Sequence, residues 1–431
     1  MSLKGIFSPI VTGYLTSKGR LDRRRAVVES RRKRKGLMRT VDYFHDTADP
    51  YSYLTSQVLK VLCERYSIVF KPHLVSPPPG WAAPDRQRLI DYSRIDAALL
   101  ARKAGLSFMD PGRQPSKEAL ETASGALAAA INDGQFAAAA APIGKWLWTG
   151  SGSAPDQSVN PILLFEEGDR LRDELGHYLG ATFHYGGEWY WGIDRLHYLE
   201  ARLREEGAVS EQAPDGSIFA PPAVVNEPIG GGFKNAPDLH FYLSFRSPYT
   251  AISARRVKAL ADAYGANLKL RFVLPMVMRG MQVPRAKGRY IIQDAAREAR
   301  RLSVPFGRIC DPVGEPVERG YSILPWAIDQ GRGFAFTESF LSGVWAEGID
   351  AGTDKGLRII TERAGLDWGE ARPLIGNDHW KAEAEDNRRE MMSRGLWGVP
   401  SYRFGEVSAW GQDRLWVIED AMKASLSTVG S

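Results

Sequence analysis

The sequence predicts an α/β chain of two tandem units, each a mixed β-sheet interrupted by a helical insertion. Three observations carry that prediction. The chain repeats itself: "YFHDTADPYSYL" (43–54) and "FYLSFRSPYTAI" (241–252) both run from an apolar stretch through a short polar turn to Pro-Tyr, 198 residues apart. The ends of the repeats match as well, "GGEWYWGIDRLHYLEARL" (186–203) with "FGEVSAWGQDRLWVIEDAM" (404–422), at an offset of about 219. Between those ends lie stretches of helical composition, "ETASGALAAAINDGQFAAAAA" and "GRYIIQDAAREARRLSV". A β-α-β start and a β-β-α finish separated by helices make one sheet covered by helices, and 431 residues suffice for two or three such domains.

Taken in order, residues 1–38 form a basic extension. Residues 1–40 hold 12 Lys/Arg against 2 Asp/Glu, so the rest of the chain is net acidic although the whole carries +5. The run "RLDRRRAVVESRRKRKG" suits either a nucleic-acid or membrane-surface arm or a solvated, partly helical extension, and the second is the usual fate of a charge run. No aromatic residues interleave it, so single-strand binding is not expected. The first unit spans 39–207. Leu59, Leu62, Cys63 and Tyr66 recur at helical spacing, as do Val257, Leu260, Ala261 and Tyr264 of the second unit. Alternating apolar residues follow each helix, Ile68, Phe70 and Leu74 in one copy and Leu268, Leu270, Phe272 and Leu274 in the other. Residues 208–237 are rich in Pro and Gly and form the expected linker. Its "GGGFKN" lacks the G-K-[ST] ending of a phosphate loop. The second unit spans 238–431.

Composition excludes several classes. Two cysteines, Cys63 and Cys310, with no C-x-x-C argue against a disulfide scaffold and a structural zinc site. Seven histidines lack metal-binding spacing, so no metal is expected. No apolar run approaches the ~20 residues of a membrane span, and no leader-like stretch opens the sequence. A cytoplasmic location is the expectation.

The turn "SFRSPYT" (244–250) has the outline of an X-Pro-Tyr-X redox turn with Ser247 and Thr250 where two thiols would stand. Together with "VPRAKGRYIIQDAAREARRLSVPF", "GLWGVPSYRFGE" and "WGQDRLWVIEDAM", it makes residues 239–424 resemble the 2-hydroxychromene-2-carboxylate isomerases, relatives of the kappa-class glutathione transferases. The first copy resembles them more distantly, through "DPYSYL" and "WGIDRL". The resemblance implies two DsbA-like thioredoxin-fold units, glutathione as cofactor, and a reversible isomerisation of an aromatic catabolic intermediate by addition and departure of the sulfur. A glutathione transferase acting on electrophiles, and a non-catalytic scaffold, are the alternative readings. Packing of the two repeats on each other, in place of a homodimer, is expected from the duplication.

The resemblance also implies the site. Ser247 would donate to the glutathione thiolate at a helix N-terminus, although Ser followed by Pro is on its own a helix cap with Pro at N1. Lowering a thiol pKa by two units takes about 2.7 kcal/mol, which is the size of one charge-assisted hydrogen bond plus a helix dipole. Pro400 matches the cis-proline of thioredoxin folds, with Val399 offering its backbone to the cysteinyl part of glutathione. Gln412 and Asp413 would meet the γ-glutamyl end, although an acid at a helix start also serves the dipole. Lys287 would pair with a glutathione carboxylate or help hold the thiolate, although the segment before it, "RGMQVPRAKG", is shorter than in the family and lacks its Asn. Trp326, Trp380, Trp397, Trp410 and Tyr249 are candidates for a flat aromatic pocket. The first copy has Asp49 in place of Ser247 and no proline in "LGATF", where Ala181 or Thr182 would match Pro400; Asp194 matches Asp413.

Overall fold

The structure is a computed structural model describing residues 3–156, 159–222, 232–281 and 283–429. Part of the expected linker, 223–231, lies outside the described residues. The chain forms two compact units. The N-terminal unit comprises Arg23–Pro222 and Pro284–Tyr290; the C-terminal unit comprises Met1–Asp22, Ala223–Val283 and Ile291–Ser431.

Two helices come first, α1 (Leu3–Thr16) and α2 (Lys18–Arg34). The N-terminal unit then runs β1 (Thr40–His45), α3 (Pro50–Arg65), β2 (Val69–Leu74), α4 (Arg86–Ala104), α5 (Lys117–Asn132), α6 (Phe136–Thr149), α7 (Ile162–Glu174), β3 (Thr182–Tyr185), β4 (Glu188–Trp191) and α8 (Gly192–Glu205). Its sheet has the order β2-β1-β3-β4, with β1 parallel to β2 and antiparallel to β3, and β3 and β4 forming a hairpin. The parallel pair needs a crossover, which α3 supplies. Tyr43, Leu59, Leu62, Phe183, Tyr190 and Leu196 are fully buried between the sheet and its helices. Fully burying a side chain of this kind contributes about 1.5–3 kcal/mol.

The C-terminal unit repeats the plan with β5 (Asp238–Leu243), α9 (Pro248–Tyr264), β6 (Asn267–Phe272), α10 (Arg285–Arg301), α11 (Glu315–Asp329), α12 (Gly333–Ser342), α13 (Asp354–Arg363), α14 (Trp368–Ala371), α15 (Trp380–Ser393), β7 (Ser401–Phe404), β8 (Val407–Trp410) and α16 (Leu415–Val429). Its sheet order, β6-β5-β7-β8, has the same strand senses. Central strand β5 is buried from Leu239 to Leu243, which is why its sequence does not alternate apolar with polar; the one polar side chain in that stretch, His240, is bonded to Arg271 and Arg403.

The internal register of the two units agrees to the residue. Matching strands are offset by 198 at their starts (Thr40 and Asp238) and by 219 near their ends (Thr182 and Ser401). The smaller offset persists into the helices: Leu54 packs with Ala97 and Ala101, and Ile252 with Ala295 and Ala299. The additional residues of the second unit fall between α12 and α15, where α13 and α14 stand.

The basic segment is anchored over part of its length. Arg25 makes two hydrogen bonds to Glu188, at 2.8 and 2.9 Å, and Arg24 donates to the Gly187 carbonyl at 2.6 Å. Glu188 also pairs with buried Arg202 at 3.0 Å. A buried carboxylate needs such partners, so charges that looked solvated in the sequence are drawn into the N-terminal unit. Residues after α8 pack on the same unit: Glu200 accepts from the Ile218 amide at 2.9 Å, and Ile218 and Phe219 lie against its core. No helix among the described residues is long and apolar enough to cross a membrane.

Candidate functional site

Strand β5 ends at Leu243, and the chain turns through Ser244–Ser247 into α9. The turn is held from below. The Trp345 indole donates to the Phe245 carbonyl at 2.9 Å, and the Phe245 ring stacks on Phe340 at 4.1 Å. Arg246 makes two hydrogen bonds to Asp311, at 3.0 and 2.9 Å. Ser247 follows as the N-cap of α9, with extended backbone, and Pro248 occupies the first helical position. Its Oγ accepts from the Thr250 amide at 3.1 Å and donates to the Val399 carbonyl at 3.3 Å. The first contact satisfies a helix-end amide. The second is long, so the hydroxyl proton is weakly held by its present acceptor.

Val399 precedes Pro400 through a cis peptide bond. The Val399 amide has no partner among the described residues. Beside it, the Pro400 carbonyl accepts from the Gly411 amide at 2.8 Å, which brings the start of the terminal helical segment to the same place. Gln412 and Asp413 come next. Gln412 is buried and its amide is fully engaged: Oε1 accepts from Arg256 at 2.9 Å, and Nε2 donates to Glu298 at 2.9 Å and to Asp413. Gln412 therefore positions Asp413 and ties α9 to α10; it has no side-chain group left over for a ligand.

Ser247, Val399, Pro400, Gln412 and Asp413 thus cluster in the C-terminal unit. Lys287 is not brought to them within that unit. It belongs with the N-terminal unit, where its Nζ donates to the Ala82 carbonyl at 3.0 Å and burial pulls its pKa down. Among the aromatic candidates, Trp380 is a core residue packed on Tyr321, with its indole donating to Asn377. Trp397 and Trp410 meet edge to face at 5.6 Å, and Trp410 lies against Gly398, just before Val399. Tyr249 is not only a ring: its hydroxyl donates to buried Asp294 at 2.9 Å. Sequence reasoning missed this pair, although the signal was present. Tyr51 donates to Asp96 at 2.7 Å in the first unit, and both residues recur at the 198-residue offset.

The equivalent turn of the N-terminal unit keeps the cap and changes the chemistry. Asp49 accepts from the Tyr51 and Ser52 amides at 3.2 and 3.1 Å. Gly192 donates to the Ala181 carbonyl as Gly411 does to Pro400, so Ala181 is the structural counterpart of Pro400. Ala181 sits at φ 53°, a region that costs a residue with a Cβ. Asp46 is buried and neighbouring Asp49 half-buried; desolvation pushes both carboxyls above the usual range, and the charge of Asp49 pushes Asp46 the further. Cys63 and Cys310 are free thiols; burial pushes Cys63 up to about 11, away from a reactive thiolate. No group of three or more His, Cys, Asp or Glu among the described residues is arranged to hold a metal ion.

Residues 238–423 match the family described as a DSBA-like thioredoxin domain. A 2-hydroxychromene-2-carboxylate isomerase of Pseudomonas putida is 22% identical over 190 residues, covering 42% of this chain and 92% of that protein. Among solved structures, a 2-hydroxychromene-2-carboxylate isomerase aligns with a TM-score of 0.40 at 21% identity, covering 45% of this chain and 98% of its own. The cytosolic disulfide reductase DsbM from Pseudomonas aeruginosa, solved with GSH, aligns with a TM-score of 0.33 at 18% identity, covering 44% and 98%. The second half of this chain is therefore a DsbA-like domain, distantly related to the isomerases.

Proposed function

We propose that the C-terminal unit is a glutathione-dependent isomerase of the 2-hydroxychromene-2-carboxylate type. One observation carries the reading: a serine, not a cysteine, caps the first helix of a DsbA-like domain, and its hydroxyl faces the residue before a cis-proline. Disulfide exchange needs two adjacent thiols, and this domain has only Cys310. Its turn is suited instead to stabilising a thiolate supplied from outside. Glutathione, when bound, would supply the sulfur that adds reversibly to a conjugated carbon of the substrate.

The residues present fit that cofactor. The Ser247 hydroxyl can exchange its long bond to Val399 for a shorter one to an anion, and the N-terminus of α9 favours the same charge. The unengaged Val399 amide is available to the cysteinyl backbone. Asp413, positioned by Gln412, would receive the γ-glutamyl ammonium. Lys287, held at Ala82, is left out of this assignment. The N-terminal unit we read as a degenerate copy: Asp49 keeps the cap but would repel a thiolate, and Ala181 stands where Pro400 does.

Calorimetric titration of glutathione into the full chain tests the reading, with a stoichiometry near one expected. Conversion of 2-hydroxychromene-2-carboxylate without net consumption of glutathione should accompany it. Consumption of glutathione with a chromogenic electrophile would favour the transferase instead. No heat and no thermal stabilisation at high glutathione concentration would leave a scaffold.

A further inference from the structure

Over residues 8–16, helix α1 turns hydroxyl groups inward and large apolar side chains outward. A helix on a protein surface normally turns its apolar side inward. Here the hydroxyl-bearing positions Ser8, Thr12 and Thr16, spaced to share one face, meet the rest of the C-terminal unit, together with buried Pro9, which lies against Gly348. The Ser8 hydroxyl donates to the Ile309 carbonyl at 3.1 Å, and Thr12 Oγ1 accepts from the Ile309 amide at 2.8 Å. Arg300 donates to the Thr16 carbonyl at 2.9 Å. Left outside are Ile10, Val11, Tyr14 and Leu15, at 61, 52, 55 and 47% exposure. These four lie at i, i+1, i+4 and i+5, one contiguous stripe.

We propose that this stripe docks α1 in the plane of an anionic bilayer surface. Fourteen residues make a helix about 21 Å long, too short to span the hydrocarbon but long enough to lie in the interface. The stripe combines aliphatic side chains with a tyrosine, the mixture that the headgroup boundary accepts. Charge selects the kind of surface. The chain passes directly from α1 into α2, whose sequence "KGRLDRRRAVVESRRKR" holds nine Lys/Arg and two acids; Arg24, Arg25 and Arg32 are taken up by Gly187, Glu188 and Glu29, while exposed cations such as Arg31 and Arg34 are of the kind that anionic headgroups attract. Arg20 lies over the Tyr14 ring at 5.5 Å and donates to the Leu15 carbonyl at 3.2 Å, so a guanidinium stands at the end of the stripe. A second copy of the chain would bring the same cations against themselves. A nucleic acid would meet the cations but offer the stripe nothing apolar.

The test is flotation of the full-length chain with phosphatidylcholine vesicles, with and without phosphatidylglycerol. Association with the anionic vesicles only, weakening as salt rises, is expected. Combined Val11→Asp and Leu15→Asp should reduce it about tenfold or more, with circular dichroism and elution volume unchanged. Should that variant misfold, Leu15→Asn is the milder substitute and should lower association in the same direction. The proposal is overturned by a wild-type chain that ignores anionic vesicles or binds both kinds equally. It is also overturned by variants that bind as well as wild type, or by a wild-type dimer that Val11→Asp and Leu15→Asp convert to monomer.

Discussion

Replacing Ser247 separates capping from chemistry, because the two roles respond differently to alanine and to aspartate. The hydroxyl caps α9 through its 3.1 Å contact with the Thr250 amide, and losing a serine cap costs about 1 kcal/mol of stability. Its proposed second role, donating to a thiolate, is a hydrogen bond to a charged group, worth about 1.5–3 kcal/mol. If that bond forms only with the activated sulfur, Ser247→Ala should lower turnover at saturating glutathione roughly 10- to 150-fold. Ser247→Asp should restore the cap, as Asp49 caps α3, and still abolish turnover through repulsion of the anion. The assay is the absorbance change on 2-hydroxychromene-2-carboxylate conversion, read beside thermal melts of the same preparations. A Ser247→Ala enzyme with more than half the wild-type turnover, or an active Ser247→Asp enzyme, would refute the thiolate role and leave only the cap.

Other perturbations follow from the packing and charges. A Cβ on Gly320 would lie 2.5 Å from the Phe340 ring and 2.9 Å from the Phe245 ring, so Gly320→Ala should cost about 1–3 kcal/mol and depress turnover by shifting the turn that carries Ser247; denaturation and kinetics should move together. Glu188→Ala removes a carboxylate shared by Arg25 and buried Arg202, and about 3 kcal/mol of destabilisation is expected in chemical denaturation, since Arg202 keeps Glu206. The raised carboxyls of Asp46 and Asp49 hold protons in the folded state that the unfolded chain has released. Their contribution is therefore complete below the ordinary carboxyl pKa and is lost as pH rises through the folded values. Asp46→Asn keeps the acceptor for the Ala48 amide and should flatten that decline, most visibly in melts at mildly alkaline pH; an unchanged pH profile would refute it.

Much of the architecture was legible because it is written in local periodicity and in repetition. The apolar run of β5, the helical spacing of α9 and the W-G-x-D-R-L openings all depend on residues near one another in sequence. Ser247 and Pro248 were legible for the same reason, since a cap and a first-turn proline are local choices. The two offsets, 198 and 219, even announce that the second unit carries additional residues, which the structure places between α12 and α15.

What escaped the sequence is what distant segments do to one another. Gln412 looked like a ligand contact until Arg256 and Glu298, from two other helices, were seen to occupy its amide. Lys287 looked like a cation kept for a ligand, yet its ammonium is already bonded to the Ala82 carbonyl. Tyr249 looked like a wall and turned out to be bonded to Asp294. The sequence by itself determined the α/β plan of two mixed sheets and the capped turn, because backbone conformation and apolar periodicity are set by neighbours along the chain. The tertiary structure alone decided which polar groups are already satisfied and that α1 turns its apolar stripe outward. Hydrogen-bond partners and burial are supplied by residues far away along the chain, from 45 positions for Tyr249 and Asp294 to 297 for Thr12 and Ile309, and no local pattern encodes them.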